Sequence, residues 1–582
     1  MFSGFHTYDD EGYFLLTLRE YLVGHSLYTG LFTTYGPFYY EVLGGVFRLL
    51  GLDVGHDAGR MVTLAVWLIA SLLAGAGAYR LTSSMWLGLA AQLLTFHVLG
   101  VLTNEPMQPS GLIAILLMAM VAAASARSAR PRATAAVIGG IVAAACLIKI
   151  NAGVFMGLAA TFAFAAAMKG RWRVLLPVTG AVLVLSPFVL MAGLLSQDWV
   201  RAYTVVVALS AVALTQVSIA WRPARMAAAS GGWLVAGGVL VVVVLVGIAA
   251  IGGTRLYDLV NDLVFVPLRQ PRLYTWPLRI GVGEVAWAAV WLVIAAVAIR
   301  FKTHPWMRGA LPGVMRIAAG AFTWLVVLLL PSPAFMLALP LAWIAAAAPE
   351  IDAESPTDAY ARQLVPTLAL MFSMDAYPVA GTSLPISALA LVPLGAVMVN
   401  DGIRQLRAWA TSHNQPSALK VAAAAAPALL ILNIAVLQLF TFLGASEYSA
   451  NEPLGLRGAQ AMRLPPQQAA ALRGVTAAID QRCDAFITEP GLDSFYIWSG
   501  SLPPAPVVDG VWLFALDDGE QRSLVSQIQG LPNLCVVRSQ AAVDFWAEGR
   551  PIPQRPLVEY IDASFVPAAT FGDYEVLVKR PQ

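Results

Sequence analysis

Charge is scarce in this chain. Asp, Glu, Lys and Arg make up 12% of its 582 residues, while 58% are hydrophobic. A soluble chain of this length would divide into several domains with about 25% charged residues. The deficit excludes a soluble protein and identifies an integral membrane protein. Net charge is +2 with no basic run, so nothing suggests a nucleic-acid partner. Cysteine is scarcer still: Cys146, Cys483 and Cys535 are too few for a disulfide framework or a cysteine-rich metal site. The six histidines include no close pair with metal-ligand spacing. Met1 to Thr7 holds no apolar segment, hence no signal peptide.

What is present is apolar sequence of spanning length, recurring about fourteen times between 60–78 and 420–443. Basic residues fall on alternate connections: Arg127, Arg130 and Arg132; Lys169, Arg171 and Arg173; Arg222 and Arg225; Arg300, Lys302 and Arg308; Arg404, Arg407 and Lys420. The positive-inside rule makes these cytoplasmic. The acidic connection 349–363 is placed inside by parity alone. Counting outward puts Met1–Gly55 and everything after Gly444 outside. A polar N-terminus does not cross unaided, so a spanning helix is expected upstream of Met1, lost through a mis-assigned start or a trimmed chain.

The outer N-terminal segment carries the densest polar motif, Tyr8-Asp9-Asp10-Glu11-Gly12-Tyr13, followed by Tyr35-Gly36-Pro37-Phe38-Tyr39-Tyr40. Gly12–Gly24 and Pro37–Leu50 read as amphipathic helices lying on the membrane surface, the second opening with proline in its first turn. The acidic row is a candidate active site with aromatic rings around it. Carboxylates before a helix also favour its N-terminal dipole, and that alternative stays open.

Further polar groups gather on the same side. Asn104-Glu105-Pro106 ends the second span. Lys149-Ile150-Asn151 joins two spans, the first only 16 residues or about 24 Å long, short of a hydrocarbon core about 30 Å thick. Lys149 is therefore expected below the surface in a protein-lined cavity, where it needs an anion; snorkelling to the interface is the alternative. The outer loop Gly252–Gly281 carries Arg255, Arg269, Arg272 and Arg279 among Tyr257, Tyr274 and Trp276. Arginine forks suit phosphate oxygens, although ordinary ion pairing with Asp258 and Asp262 would also account for them. Asp375-Ala376-Tyr377-Pro378 breaks a later span near the same face.

Beyond about residue 445 the composition changes. A helix from Pro465-Pro466 to about Gln481 and another at Asp517–Gln529 alternate with strand-like Ala485–Thr488, Val507–Phe514, Leu534–Val537 and Tyr574–Val578. This predicts a small extracytoplasmic α/β domain. Oxidising conditions permit a Cys483–Cys535 bridge, but the sequence leaves their pairing open. Phe495-Tyr496-Ile497-Trp498 reads as core packing in preference to a sugar-stacking surface. The expected division is thus an outer segment over 1–58, a multi-span body over 59–444 and the α/β domain over 445–582.

These features together resemble the GT-C superfamily of membrane glycosyltransferases, which use polyprenyl-phosphate-linked sugars. The likeness lies in Asp10-Glu11 in the first outer loop, the two flanking surface helices, the multi-span body and the C-terminal domain. It is closest to bacterial mannosyltransferase-like and aminoarabinose-transferase-like members, which implies the inner (plasma) membrane with the active site facing the periplasm or exterior. In that superfamily the first-loop aspartate is the catalytic base, by position Asp10 here. The third carboxylate Asp9, the absent first span and the high span count depart from the pattern.

The resemblance implies an inverting transfer of a sugar from a polyprenyl-phosphate donor to a hydroxyl of a lipid, glycan or protein acceptor. Asp10 would take the proton, with Glu11, Asp9 and Glu105 as supporting or alternative carboxylates. Lys149, Arg255, Arg269 and Arg272 would hold the departing phosphate. Tyr35, Asn151 and Tyr377 would line the substrate cavity, and membrane lipids would surround the body. No cofactor is required; some members of the superfamily bridge the carboxylates with a divalent metal, which is not predicted here. Two rival functions remain, a lipid or solute transporter or flippase using Lys149 and Asp375 as a polar path, and a surface-polysaccharide ligase or polymerase.

Overall fold

The apolar sequence becomes helix throughout the body. The computed structural model describes residues 1–31, 33–126, 131–168, 172, 174–221, 229–273, 275–347, 356–381, 383–505 and 512–581. Among the described residues nine helices are long and apolar enough to cross a bilayer: His56–Thr82, Met85–Asn104, Ile150–Ala167, Asp198–Trp221, Ser230–Ile251, Val282–Arg300, Ala310–Leu328, Ser383–Ser412 and Pro416–Ala450. Ser110–Ala124, Pro131–Cys146, Leu175–Leu190 and Pro333–Ala346 are apolar but shorter. The remaining expected stretch, 364–380, falls mainly on the helix Pro356–Phe372. The expectation of about fourteen spans therefore located helices correctly and overstated how many are long enough by themselves. A helix of 15 or 16 residues reaches only about 24 Å. Most of the basic residues assigned to the first three cytoplasmic loops, and residues 349–355 of the acidic connection, lie outside the described residues.

The helices divide by what covers them. Ser383–Ser412 is almost wholly enclosed by its neighbours, whereas Ser230–Ile251 and Pro416–Ala450 turn most of their apolar side chains outward. A helix apolar all round with bare sides needs lipid for solvent. The body is thus an α-helical polytopic membrane domain.

Three helices open the chain: α1 (Asp10–Leu22), α2 (Pro37–Leu50) and α3 (His56–Thr82). α2 keeps the two-sided character expected of it, with Tyr39, Tyr40 and Phe47 buried and Leu49 and Leu50 exposed. α1 does not lie on the surface. Residues 11–18 and Glu20 are buried, because the polar face finds protein partners instead of water. Arg19 donates to the carbonyls of Tyr496 (3.0 Å) and Ser501 (2.8 Å).

Those carbonyls belong to a C-terminal α/β domain. It begins with a short ribbon, β1 (Glu452–Pro453) against β2 (Arg463–Leu464), and the helix Pro466–Arg482. A four-stranded sheet follows in the order β3-β4-β6-β5, from β3 (Ala485–Glu489), β4 (Leu534–Ser539), β5 (Phe565–Phe571) and β6 (Tyr574–Lys579). β3 and β4 run parallel and the other pairs antiparallel. Cys483 and Cys535 are joined by a disulfide with their Cα atoms 5.6 Å apart. The expected strand over Val507–Phe514 is absent where it can be seen: residues 506–511 lie outside the described ones, and Trp512–Ala515 is a helical turn. β5 was not anticipated. Its Pro567 suits only an edge strand, and a bulge follows it.

N-terminal residues are woven into this domain. Arg463 N–H donates to the Phe2 carbonyl (2.8 Å), Gln468 Nε2 to that of Phe5 (3.0 Å), and His56 stacks on Trp498 at 5.2 Å. Trp498 and its neighbours Phe495, Tyr496 and Ile497 are core residues, as read from the sequence. The start of α3 and the end of Pro416–Ala450 therefore open on one face of the body. An even number of crossings must separate them.

Candidate active site

Three adjacent carboxylates at the start of α1 have three different environments. Asp9 caps the helix from the left-handed region (φ 49°), which aspartate tolerates better than most residues. Its oxygens accept from Gly12 N–H (3.1 Å), Ser494 N–H (2.7 Å) and the Ser494 hydroxyl (2.5 Å). Any side chain at Gly12 would collide with Ser494, since an added Cβ would lie 2.3 Å from its nitrogen. Burial pushes the Asp9 carboxyl up to about 7, against the pull of the Ser494 donors. Glu11 is equally buried and takes a bidentate fork from Arg60 (2.8 and 2.7 Å), with His56 Nδ1 3.2 Å away. Burial alone would raise Glu11; the charges and hydrogen bonds of Arg60 and His56 overcome it and bring the group down to about 2. Both residues are thus occupied in holding α1 to the α/β domain and to α3. Of the row, only Asp10 is partly open to solvent.

Asp10 is on the side of Tyr8. Asn104 Nδ2 donates to the Tyr8 hydroxyl (2.6 Å), and the Glu105 carboxylate is near enough for its charge to act on this hydroxyl. Burial, then the charges of Glu105 and Asp10, hold the phenol protonated well above its usual range. Gln108 donates to Glu105 from the other side. The N-terminal segment and the loop after Met85–Asn104 therefore meet at Tyr8, which brings the expected pair Asp10 and Glu105 into one polar cluster.

A second cluster forms at the recessed turn. The loop before α2 docks on it: Gly36 N–H donates to Ile148 O (2.9 Å) and Phe38 N–H to Leu147 O (3.1 Å). A Cβ at Gly36 would sit 2.1 Å from Leu147 O, so only glycine allows this approach. Lys149 Nζ lies 3.3 Å from Asp375 Oδ1, which also accepts from Asn151 Nδ2 (3.0 Å). The anion that the lysine requires is thus Asp375 in the first instance. An ammonium has three donors, and the Lys149 side chain is 31% exposed, so it still faces open space. Tyr377 is buried beside Trp199, with ring centroids 6.3 Å apart. Tyr35 is half-buried, packed at 5.6 Å from Phe14, and its carbonyl accepts from Tyr28.

Aromatic rings run from Tyr8 toward the chain segment that follows Asp375. Phe545, on the helix Gln540–Ala547, stacks on Tyr8 (5.0 Å, 23°) and lies 6.2 Å from Trp276. Trp276 is in turn bonded through its backbone to the segment after Asp375: its N–H donates to Pro378 O (3.2 Å) and its carbonyl accepts from Ala380 (2.9 Å). Sequence reasoning missed Phe545 altogether, and no local signal marks it, because its role comes from where the α/β domain docks. Arg255 and Arg269 are exposed, without side-chain ion pairs among the described residues. The side chain of Arg272 lies outside the described residues.

No family model matches this chain, and no curated protein sequence does. Some solved structures show a distant likeness to this chain. ArnT from Cupriavidus metallidurans, solved bound to undecaprenyl phosphate, is 14% identical, with a TM-score of 0.46 over 98% of this chain and 95% of its own. Archaeal oligosaccharyltransferase AglB from Archaeoglobus fulgidus, solved with an inhibitory peptide and a dolichol-phosphate, is 13% identical, with a TM-score of 0.40 over 98% of this chain and 70% of its own. The same organism's oligosaccharyltransferase in complex with zinc and sulfate is 12% identical, with a TM-score of 0.38 over 91% of this chain. This chain spans 64% of that protein's length.

Among the described residues no group of three or more His, Cys, Asp or Glu side chains is arranged to hold a metal ion. The chemistry available here is that of a half-open carboxylate beside a tyrosine–asparagine–glutamate cluster, and of an ammonium in a second cluster. A carboxylate so placed can accept a proton from a hydroxyl, and an ammonium can meet an anion.

Proposed function

We propose that this chain is a membrane glycosyltransferase of the GT-C kind, moving a sugar from a polyprenyl-phosphate donor to an acceptor hydroxyl at the outer membrane surface. Asp10 is the general base, and inversion follows from a single in-line displacement at the anomeric carbon. The observation that carries the reading is the division of labour in the acidic row. Asp9 and Glu11 are buried in structural contacts, which leaves Asp10 partly open and beside Tyr8 and Glu105. Asp9 and Glu11 accordingly leave the catalytic set and become residues that fix Asp10.

Lys149, still a third exposed beyond its contact with Asp375, meets the departing phosphate together with Arg255 and Arg269 of the long loop. Negative charge developing there in the transition state is what such donors stabilise. The face bearing α1 and the α/β domain is the periplasmic or exterior one, because the basic connections belong inside. The decisive experiment is transfer by the purified full-length chain from a panel of radiolabelled polyprenyl-phosphate sugars. Label appearing in an acceptor fraction supports the reading. Movement of labelled lipid across vesicles without any transfer would favour the transporter, which would use the Lys149–Asp375 pair as its polar path.

A further inference from the structure

Trp276 has a combination of features that packing does not require. It is a large aromatic residue left 41% exposed, yet it is fixed at both backbone groups to the segment that follows Asp375. Phe545 backs it, Tyr8 backs Phe545, and Tyr8 is hydrogen-bonded to Asn104. Three distant parts of the chain, the N-terminal loop, the loop 252–281 and the C-terminal domain, thereby supply one ring each to a single row. One end of that row is the Asp10–Tyr8–Glu105 cluster. The other is anchored by backbone bonds to Pro378 and Ala380, three and five residues beyond Asp375, the partner of Lys149.

We propose that the exposed indole of Trp276 is the surface on which a sugar ring stacks, between the carboxylate and ammonium clusters. The proposal rests on the transferase reading and adds to it the residue that recognises the carbohydrate. A pyranose or furanose ring offers a face of C–H bonds bordered by hydroxyls. An indole matches it with a broad apolar face, negative above its ring, and loses little side-chain entropy in doing so. Polar groups on either side would then take the hydroxyls and the phosphate. A tryptophan serving only as a membrane-interface anchor would not need the rings of another domain behind it or two backbone bonds holding it in register. The ring bound is that of the donor sugar or of a glycan acceptor, the same chemistry from two sources.

The test uses the full-length chain in nanodiscs, as wild type, Trp276→Phe and Trp276→Leu, each checked for an unchanged thermal midpoint. Binding comes first, comparing polyprenyl-phosphate sugar with bare polyprenyl phosphate. Donor stacking predicts that wild type prefers the sugar-bearing lipid by roughly 2- to 13-fold, that Trp276→Phe retains most of this, and that Trp276→Leu abolishes it. Acceptor stacking predicts no effect on that preference and a similar rise in the KM of a glycan acceptor in Trp276→Leu, with kcat nearly unchanged. Either pattern supports the proposal. A sugar preference lost in Trp276→Leu would support it even if no transfer were found, separating it from the catalytic reading. Wild-type behaviour of Trp276→Leu in both arms, in a chain that does transfer, overturns stacking and leaves an interface anchor. Equal losses in the phenylalanine and leucine variants with a lowered midpoint also overturn it, because the ring would then only brace the loop.

Discussion

Ser494 donates to both oxygens of Asp9, its N–H to Oδ2 at 2.7 Å and its hydroxyl to Oδ1 at 2.5 Å, across 485 residues of sequence. The contact joins the entrance of α1 to the first turn of the helix Ser494–Ser499 in the α/β domain. Asp10, the next residue, is positioned by it.

The first prediction follows from that clamp. Ser494→Ala removes one charge-assisted bond from a buried carboxylate and should cost about 1.5–3 kcal/mol of stability. The sign of its pH dependence is also fixed. Asp9 rises from 3.8 to about 7 in the folded chain, so between those values the folded state holds more protons than the unfolded. Its contribution is complete below 3.8 and lost as pH rises through 7. Asp9→Asn should remove this slope in thermal unfolding of the nanodisc-embedded protein. A slope that persists in Asp9→Asn would show that another group titrates.

Glu11 has the opposite linkage. Its carboxyl falls from 4.5 to about 2, so its stabilisation is present above 4.5 and drains away as pH falls toward 2. Glu11→Gln should abolish that acid limb. It should also cost about 3–5 kcal/mol, because the buried Arg60 guanidinium loses its partner. Equal melting of Glu11→Gln and wild type at pH 7 would contradict the structural role given to it.

The helical body was legible in the sequence because apolar runs of spanning length have few other uses, and β3, β4 and β6 were legible because their alternation is local. The surface placement of α1 was misjudged for a physical reason: Arg19 and Glu20 look like a solvated face until the carbonyls of Tyr496 and Ser501 arrive from the other end of the chain. The same limit applies to the site. Asp10, Glu105, Lys149 and Asn151 were named from motif and span length, and their roles stand as proposals. That Asp9 and Glu11 are held in buried contacts, that Asp375 pairs with Lys149, and that Phe545 packs between Tyr8 and Trp276 all depend on long-range docking.

Lys149 provides the third prediction. Lys149→Ala alone leaves Asp375 buried without its cation and should lower stability, which confuses any loss of donor use. Adding Asp375→Asn should restore much of the stability. In the double variant, donor affinity should still be weaker by about 2 kcal/mol, the scale of a charge-assisted hydrogen bond to phosphate. Donor affinity restored along with stability would confine Lys149 to pairing with Asp375.

The last prediction concerns Asp10, whose neighbours Asp9 and Glu11 serve as internal controls. Asp10→Asn keeps shape and hydrogen bonding but cannot accept a proton, so transfer should fall by about 10²- to 10⁴-fold. Donor binding and the thermal midpoint should change little, because the residue is partly open and the clamps on either side remain. Asp9→Asn and Glu11→Gln should behave in the reverse manner, losing stability first and turnover only through it. Glu105→Gln should fall between them, since it disturbs the tyrosine and asparagine contacts beside the base. Radiolabelled transfer and thermal unfolding measured on the same four purified variants separate these outcomes. If Asp10→Asn transfers at the wild-type rate while Glu105→Gln does not, the base is Glu105. If all four lose turnover only in proportion to stability, the acidic row is structural throughout.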